Sequence, residues 1–160
     1  MIESKKVLLG VTSNFIDETS RLFFERSAGF NVVQSTWNFS EIPQLVSKHR
    51  PDLVFLDGSN GIPDLSSIFP KGFLDDYAKM KRVVGIAQNS SKSYLDAHSA
   101  GYDAVFALRD GESAIRAGLE SLFGDSKFFR HDDLEEARIE YSKSIAYKVS
   151  QLDPVNQEVL

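Results

Sequence analysis

The sequence predicts an α/β fold in which a parallel sheet of five strands is covered by helices on both faces. Five short apolar runs recur along the chain, and segments with helical periodicity alternate with them. Mostly short turns join the two kinds of segment. Because the connection between two parallel strands must be long, usually helical and right-handed, this alternation favours a parallel sheet over an antiparallel one.

Apolar and β-branched runs predict the strands, whereas amphipathic spacing and capping residues predict the helices. The strands are expected at 7–11, 30–33, 53–56, 82–87 and 104–108. The helices are expected between the first strand and Gly29, after a Ser40 cap, at 73–80, at 92–100 and after an Asp110 cap.

One connection, 58–81, is longer than usual and contains the breakers Pro63 and Pro70. It is predicted to be irregular around its one helix, and to cover the sheet or a ligand.

Composition excludes several classes of protein. A content of 42% hydrophobic residues in 160 suits one folded domain with an appendage, and a net charge of −5 argues against nucleic-acid binding by bulk electrostatics. The absence of cysteine excludes disulfides and thiolate chemistry, and three scattered histidines give no metal-ligand spacing. No apolar run is long enough to span a bilayer and no signal peptide is evident, so we expect a cytoplasmic protein with no membrane partner.

The predicted strand order is the flavodoxin-like 2-1-3-4-5, which puts a crevice at the carboxyl ends of strands one and three. Asp57 directly follows the fully apolar run 53–56 and opens a loop at Gly58. An aspartate at this edge lies where open parallel sheets place their chemistry.

The segment Pro51-Asp52-Leu53-Val54-Phe55-Leu56-Asp57 resembles the third strand of response-regulator receiver domains. In that family the strand-end aspartate accepts a phosphoryl group from a histidine kinase. The resemblance covers roughly residues 6–123 and implies that Asp57 is the phosphoacceptor or its vestige.

Several positions depart from the receiver pattern. The family's two acidic residues after strand one, which help to hold Mg²⁺, fall here among Val11, Thr12 and Ser13. The hydroxyl residue after strand four maps to Ala87, the lysine after strand five to Arg109, and the switch aromatic to Phe106. We therefore expect weak or absent Mg²⁺ binding, no other cofactor, and a pseudo-receiver that works without conventional phosphorylation.

Alternatives remain open at these positions. Arg109 is either a surface residue or a bidentate partner of Asp57. Thr12, Ser13 and the adjacent Asn14 cap the first helix or hydrogen-bond a small ligand or anion at its positive end. A genuine phosphoacceptor with unusual ligands and a small-molecule-binding domain are the competing functions, and an enzyme is the least favoured.

The end of the chain also resembles the family. Residues 124–134 are similar to the linker of LuxR/NarL-type response regulators, and Leu152-Asp153-Pro154 with Glu158-Val159-Leu160 looks like the opening of their helix-turn-helix domain. The predicted organisation is a receiver-like domain at 1–124, a linker with an amphipathic helix at 125–151, and the start of a helix-turn-helix domain at 152–160. DNA would be bound only through a further domain, with the sequence either cut or naturally shortened at this point.

Self-association is expected from one of two surfaces. Receivers commonly pair through their fourth and fifth helices, which here include Tyr94, His98 and Ile115. The linker has an apolar stripe that either packs on its own domain or pairs with a second subunit. The stripe includes Leu134, Tyr141 and Ile145. A homodimer, with a histidine kinase or another protein as further partner, is the expected assembly.

Overall fold

The computed structural model describes residues 4–87, 91–107 and 110–124. The predicted linker helix, the segment at 152–160 and Arg109 therefore lie outside the described residues. Leu134, Tyr141 and Ile145 lie outside them too. No helix within the described ranges is long and apolar enough to cross a membrane.

Five parallel strands form one sheet in the order β2-β1-β3-β4-β5, which confirms the predicted topology. The strands are β1 Lys6–Gly10, β2 Asn31–Thr36, β3 Leu53–Asp57, β4 Lys81–Ile86 and β5 Ala104–Ala107. The helices are α1 Asn14–Leu22, α2 Ile42–His49, α3 Leu65–Ile68, α4 Ser91–Ser99 and α5 Glu112–Leu122.

Alternating side chains of the buried strand β3 divide the core into two layers. Val54 and Leu56 pack with residues of α2, α3 and α4 on one face of the sheet. Leu53 and Phe55 pack on the other face with residues of α1 and α5. This alternation follows from the two-residue period of a strand, and it leaves β3 buried on both sides, as its unbroken apolar sequence predicts.

The edge strand β2 is longer than predicted and is irregular. It continues through the polar residues Gln34, Ser35 and Thr36, because an edge strand does not need an apolar sequence on both faces. Its register against β1 shifts between Val7 and Leu8, so that β2 has one extra residue at this point. This is a β-bulge, which bends the strand locally.

The prediction of a helix at 73–80 is wrong, because this segment forms only a 3₁₀ turn. The connection instead contains the short helix α3 and a 3₁₀ turn at Phe73–Tyr77. Asp64 begins α3 by accepting the Ser66 N–H at 3.0 Å. Pro70 and Gly72, the latter with a φ of 82°, separate the two turns because neither residue favours a continuing helix.

Two predicted capping residues are also wrong. The N-cap of α5 is Gly111 and not Asp110. The Oδ2 of Asp110 instead accepts the Ala107 N–H at 2.9 Å. Ser40 lies inside a 3₁₀ turn at Phe39–Glu41 that Asn38 caps, and α2 begins only after that turn. Both helices form where the sequence places them, but a neighbouring residue provides the cap.

Candidate functional site at the carboxyl edge of the sheet

Asp57 lies at the carboxyl end of β3, between β1 and β4, as the strand order predicts. It is only 5% exposed, and the rest of β3 is apolar and buried. A carboxylate at so dry a position needs hydrogen-bond partners, because a buried charge without them is unfavourable by several kcal/mol or more.

Both carboxylate oxygens of Asp57 accept a hydrogen bond. The hydroxyl of Thr12, just beyond the end of β1, donates to Oδ2 in a short hydrogen bond. The N–H of Ser59 donates to Oδ1 at 3.0 Å. The second bond is a local turn in which an aspartate accepts the N–H two residues further on. The carboxylate is thus held by its own loop and by the neighbouring strand.

The residue after Thr12 has a different role. Ser13 is the N-cap of α1, and its Oγ accepts the Ile16 N–H at 3.2 Å. This confirms the capping interpretation for Ser13, whereas Thr12 bonds to Asp57. The first acidic residue after β1 is Asp17, which lies within α1 as predicted, and its carboxylate is 3.5 Å from the Arg21 guanidinium.

Two glycines close the backbone around Asp57. The N–H of Gly58 donates to the carbonyl of Gly85 at 2.7 Å, which ties the loop after β3 to β4. A Cβ on Gly58 would lie 2.7 Å from a Val84 methyl and 2.9 Å from the Gly85 oxygen. Only glycine fits at residue 58 without a shift of neighbouring atoms, so the backbone that carries Asp57 is tightly fixed.

A small cleft of about 270 Å³ adjoins this loop. Its lining residues include Ser59, Ile62, Ala87 and Ser93. Ala87 is exposed at the end of β4 and offers no hydroxyl, so any hydroxyl in the cleft comes from Ser59 or Ser93. Sequence reasoning missed both serines. The Asp-Gly-Ser run was a usable signal for Ser59, because aspartate commonly accepts the N–H two residues on.

The donor set at this edge does not fit the Mg²⁺ that receivers use. Mg²⁺ prefers carboxylate and water oxygens in a near-octahedral arrangement. Here Asp57 already accepts two protein hydrogen bonds, and the residues that follow β1 offer hydroxyls in place of carboxylates. Within the described ranges, no group of three acidic or histidine side chains could hold a metal ion.

The remaining predicted residues are dispersed. Phe106 is 4% exposed in β5 and packs on the α1–α5 side of the sheet. Tyr94 is only 5% exposed and lies in the core between α4 and the sheet. The surface contact predicted for it is therefore wrong, because a buried ring is not available to a partner. His98 is exposed on α4, and Ile115 is partly buried against the core.

One curated protein and several solved structures resemble this chain. No protein-family model matches the chain. A segment of 74 residues is 32% identical to the probable C4-dicarboxylate response regulator DctR of Priestia megaterium. That segment is 44% of this chain, and it spans only about a third of the curated relative, 32% of its length.

Solved structures of LuxR-family response regulators have the same fold. A two-component response regulator of the LuxR family from Aurantimonas sp. SI85-9A1 has a TM-score of 0.69 at 16% identity, over 86% of this chain and 99% of that chain. The RcsB response regulator of Salmonella typhimurium has a TM-score of 0.67 at 11% identity, over 95% of this chain and 78% of that one. RcsB has also been solved as dimers bound to DNA. The resemblance predicted from the Asp57 strand is thus confirmed, and this chain has the fold of a response-regulator receiver domain.

Proposed function

We propose that this chain is the receiver-like regulatory module of a LuxR/NarL-type transcriptional regulator, and that it works without conventional phosphorylation of Asp57. The observation that carries the proposal is the pair of hydrogen bonds that Asp57 accepts from Thr12 and Ser59. They satisfy a carboxylate that receivers otherwise use as a nucleophile.

Phosphoryl transfer to a carboxylate depends on positioning and on neutralising the charge of the phosphoryl oxygens. At this edge the Thr12 hydroxyl occupies Oδ2, and Ala87 offers no side-chain hydrogen bond to a phosphoryl oxygen. An incoming phosphoryl group would have to displace the Thr12 bond without the charge of a firmly held metal ion. Each feature raises the barrier, and together they support a signal other than phosphorylation.

Acetyl phosphate labelling tests this proposal directly. The full chain is incubated with acetyl phosphate and Mg²⁺, and its intact mass is followed over time. We expect no stoichiometric phosphate adduct. A Mg²⁺-dependent adduct that is lost in Asp57→Asn would contradict the proposal and identify a genuine phosphoacceptor.

A gain-of-function variant makes a negative result informative. Thr12→Asp with Ser13→Asp restores the two carboxylates of the receiver pattern, and Ala87→Thr restores the hydroxyl. If missing ligands alone prevent transfer, this triple variant should be labelled in Mg²⁺ while the wild type is not. Labelling of neither protein would leave two obstacles, the Asp57 loop itself and the arginine at position 109 in place of the receiver lysine.

Constitutive self-association is the second part of the proposal, because a module that is not switched by phosphorylation must present its contact surface by default or under another signal. The DNA-bound dimers of RcsB support a dimer that controls an appended DNA-binding domain. In this chain the surface remains a prediction: either His98 and Ile115, or the linker stripe with Leu134, Tyr141 and Ile145.

Sedimentation of the full chain separates the two surfaces. Tyr141→Glu with Ile145→Glu would place unpaired charges in a buried seam if the linker pairs, so this variant should become monomeric with an unchanged circular dichroism spectrum. His98→Glu is the matched change on α4. A wild type that sediments as a monomer at high concentration would contradict constitutive dimerisation.

Arg109 remains a predicted partner of Asp57. If the two residues form a buried pair, Arg109→Ala should lower the free energy of unfolding by about 3–5 kcal/mol, because the carboxylate would lose its cation. A loss below about 1 kcal/mol would make Arg109 a surface residue.

A further inference from the structure

A cavity of about 260 Å³ lies between α1 and α5, on the face of the sheet that carries Phe55. Its walls are mainly aromatic and aliphatic. They include Phe23, Phe24, Phe55, Phe106 and Ile115. We propose that this cavity binds a flat, uncharged aromatic molecule of one or two rings.

Gly85 of β4 determines where the Phe55 wall of the cavity lies. The ring of Phe55 lies across Gly85, so closely that a Cβ there would be 2.6 Å from a ring carbon. A larger residue at this position would displace the ring and fill the space between β4 and the helices. Gly85 therefore lets the Phe55 ring lie against β4, where both residues line the cavity.

The aromatic walls support one another, so the space is preformed. Phe24 packs edge-on against Phe55, with ring centroids 5.5 Å apart and an interplanar angle of 64°. Phe23 packs against Phe24 at 5.4 Å and 76°. Edge-to-face pairs of this kind are favourable beyond the area that they bury, and they resist collapse into the cavity.

The volume and lining define the class of ligand. An apolar cavity of about 150 Å³ stays dry and binds benzene, so this larger space suits a molecule up to the size of two fused rings. Thr19 and Ser20 of α1 add hydroxyls that can hydrogen-bond one polar group. The described lining residues also include the carboxylates of Asp110 and Glu112 and no lysine or arginine. Arg116 pairs with Glu112 at 2.7 Å, so the negative charge that disfavours an anion comes mainly from Asp110.

The site rests on the geometry of the cavity and stands whether or not Asp57 is phosphorylated. It also contacts parts that a receiver would move. Phe106, which lines the cavity, is the residue predicted from the resemblance as the switch aromatic, and the Gly85 carbonyl accepts the N–H of Gly58, next to Asp57. If the chain regulates as proposed above, a ligand here would act on the same loop that phosphorylation acts on in receivers.

Fluorine NMR on the full chain tests the site with a matched pair of probes. 5-Fluoroindole is flat and neutral, and 5-fluoroindole-2-carboxylate is the same ring system with an anionic group. We expect line broadening and a saturable shift for the neutral probe, with at least tenfold weaker binding of the carboxylate. Equal binding of the two probes, or binding of neither, would overturn the proposal.

A pair of serine variants locates the site. Ser20→Leu places an isobutyl group into the cavity and should weaken binding of 5-fluoroindole at least tenfold. Ser99→Leu makes the same change on α4, outside the cavity lining, and should bind like the wild type. Wild-type affinity in Ser20→Leu would place the probe elsewhere and overturn the assignment.

Thermal unfolding followed by circular dichroism shows whether each variant folds. If Ser20→Leu is unfolded, Thr19→Leu takes its place in the comparison. Thr19 also lines the cavity but is more exposed, so the added side chain should disturb the core less. The phosphate labelling experiment uses neither probe, so either proposal can fail without the other.

Discussion

Two aspartates join the same pair of strands at opposite ends of the sheet. At the amino end, the Oδ2 of Asp52, just before β3, accepts the main-chain N–H of Lys6 at 2.7 Å. At the carboxyl end, Asp57 accepts the side-chain hydroxyl of Thr12. Asp52 is partly exposed, whereas Asp57 is buried. The donor to Asp52 is a main-chain N–H, which almost any residue at position 6 would supply. The donor to Asp57 is one particular side-chain hydroxyl, that of Thr12.

A carboxylate at a strand end is not by itself a reactive group, because the same position also suits a structural hydrogen bond. Asp52 connects β1 to β3 at the amino end, and Asp57 makes a similar connection at the carboxyl end, where receivers carry out their chemistry. What distinguishes the two is the cost of losing the partner, which rises with burial. Substitutions at each end can measure that cost.

Among substitutions of described residues, the largest effect is expected from Thr12→Val, which keeps the shape of the side chain and removes the hydroxyl. The Oδ2 of a buried carboxylate then loses its donor, and we expect unfolding to become easier by about 1.5–3 kcal/mol. Urea denaturation at neutral pH measures the change. Asp52→Asn, whose amide oxygen can still accept the Lys6 N–H, should lose less than about 1 kcal/mol.

Asp57→Asn removes the charge of the buried carboxylate but not its hydrogen-bonding capacity. The amide oxygen can accept the Ser59 N–H and the amide nitrogen can donate to the Thr12 hydroxyl, so both contacts persist without a charge. We expect the free energy of unfolding to fall less in Asp57→Asn than in Thr12→Val. A larger fall would mean that the charge of Asp57 has a favourable partner outside the described residues, for which Arg109 is the predicted group.

Gly58→Ala tests the rigidity of the backbone behind Asp57. The added methyl would meet Val84 and the Gly85 carbonyl, and overpacking of this kind costs about 1–3 kcal/mol. Gly111→Ala is the control for steric contact, because nothing lies within 4 Å of a Cβ there. Its own effect is limited to the preference of the α5 N-cap for glycine over alanine. Similar unfolding midpoints for the two variants would show that the loop adjusts easily.

A smaller effect is expected at Tyr102, whose hydroxyl donates to the Pro63 carbonyl at 2.6 Å and connects the loop after β3 to the start of β5. Tyr102→Phe should cost roughly 1 kcal/mol at neutral pH, as a neutral hydrogen bond does.

Tyr102 should also make the stability of the fold depend on pH in the alkaline range. Burial, and secondarily the charge of Asp64, raises the pKa of Tyr102 in the folded protein. The unfolded chain therefore releases this proton first as pH rises above about 10, so the wild type loses stability with pH in that range. Tyr102→Phe lacks this contribution, and its alkaline unfolding profile should be flatter. Parallel profiles would contradict the assignment.

The smallest effect is expected at Asp64, which is fully exposed. Hydrogen bonds from the Ser66 side chain, the Ser66 N–H and the Ser67 side chain lower its pKa. A lowered pKa means that the contribution is present above the unfolded pKa and is lost as pH falls through the folded one. NMR titration of the Asp64 carboxyl group should show the shift, and Asp64→Asn should slightly reduce the loss of stability in acid.

The fold could be predicted from the sequence because its signals are local and repeated. The apolar run of β3 and the alternation of strands with amphipathic segments fix the layer order, and the position of Asp57 follows from that order. The Thr12 bond could not be predicted with the same certainty. Residues 12 and 57 are far apart in sequence, and a hydroxyl after a strand suits a helix cap equally well.

Burial on a helix was harder to predict than strand order. Tyr94 was assigned to a surface by its position in the receiver pattern, but in this chain its ring packs in the core beside Ala97. Asp110 was assigned to a cap by residue type, but it bonds back to Ala107. In each case the outcome depends on how a helix is rotated or where it begins, and residue type alone does not determine either.

The bulge in β2 has a consequence for behaviour at high concentration. β2 is one of two outer strands of the sheet, and an outer strand that is long, flat and regular invites main-chain pairing with other molecules. The extra residue opposite Val7 and Leu8 interrupts that regularity, and β5, the strand at the other side, is four residues long within the described part of the chain. Both outer strands of the described sheet are therefore poor templates for fibre growth, and we expect association of the described residues to proceed through side-chain surfaces instead.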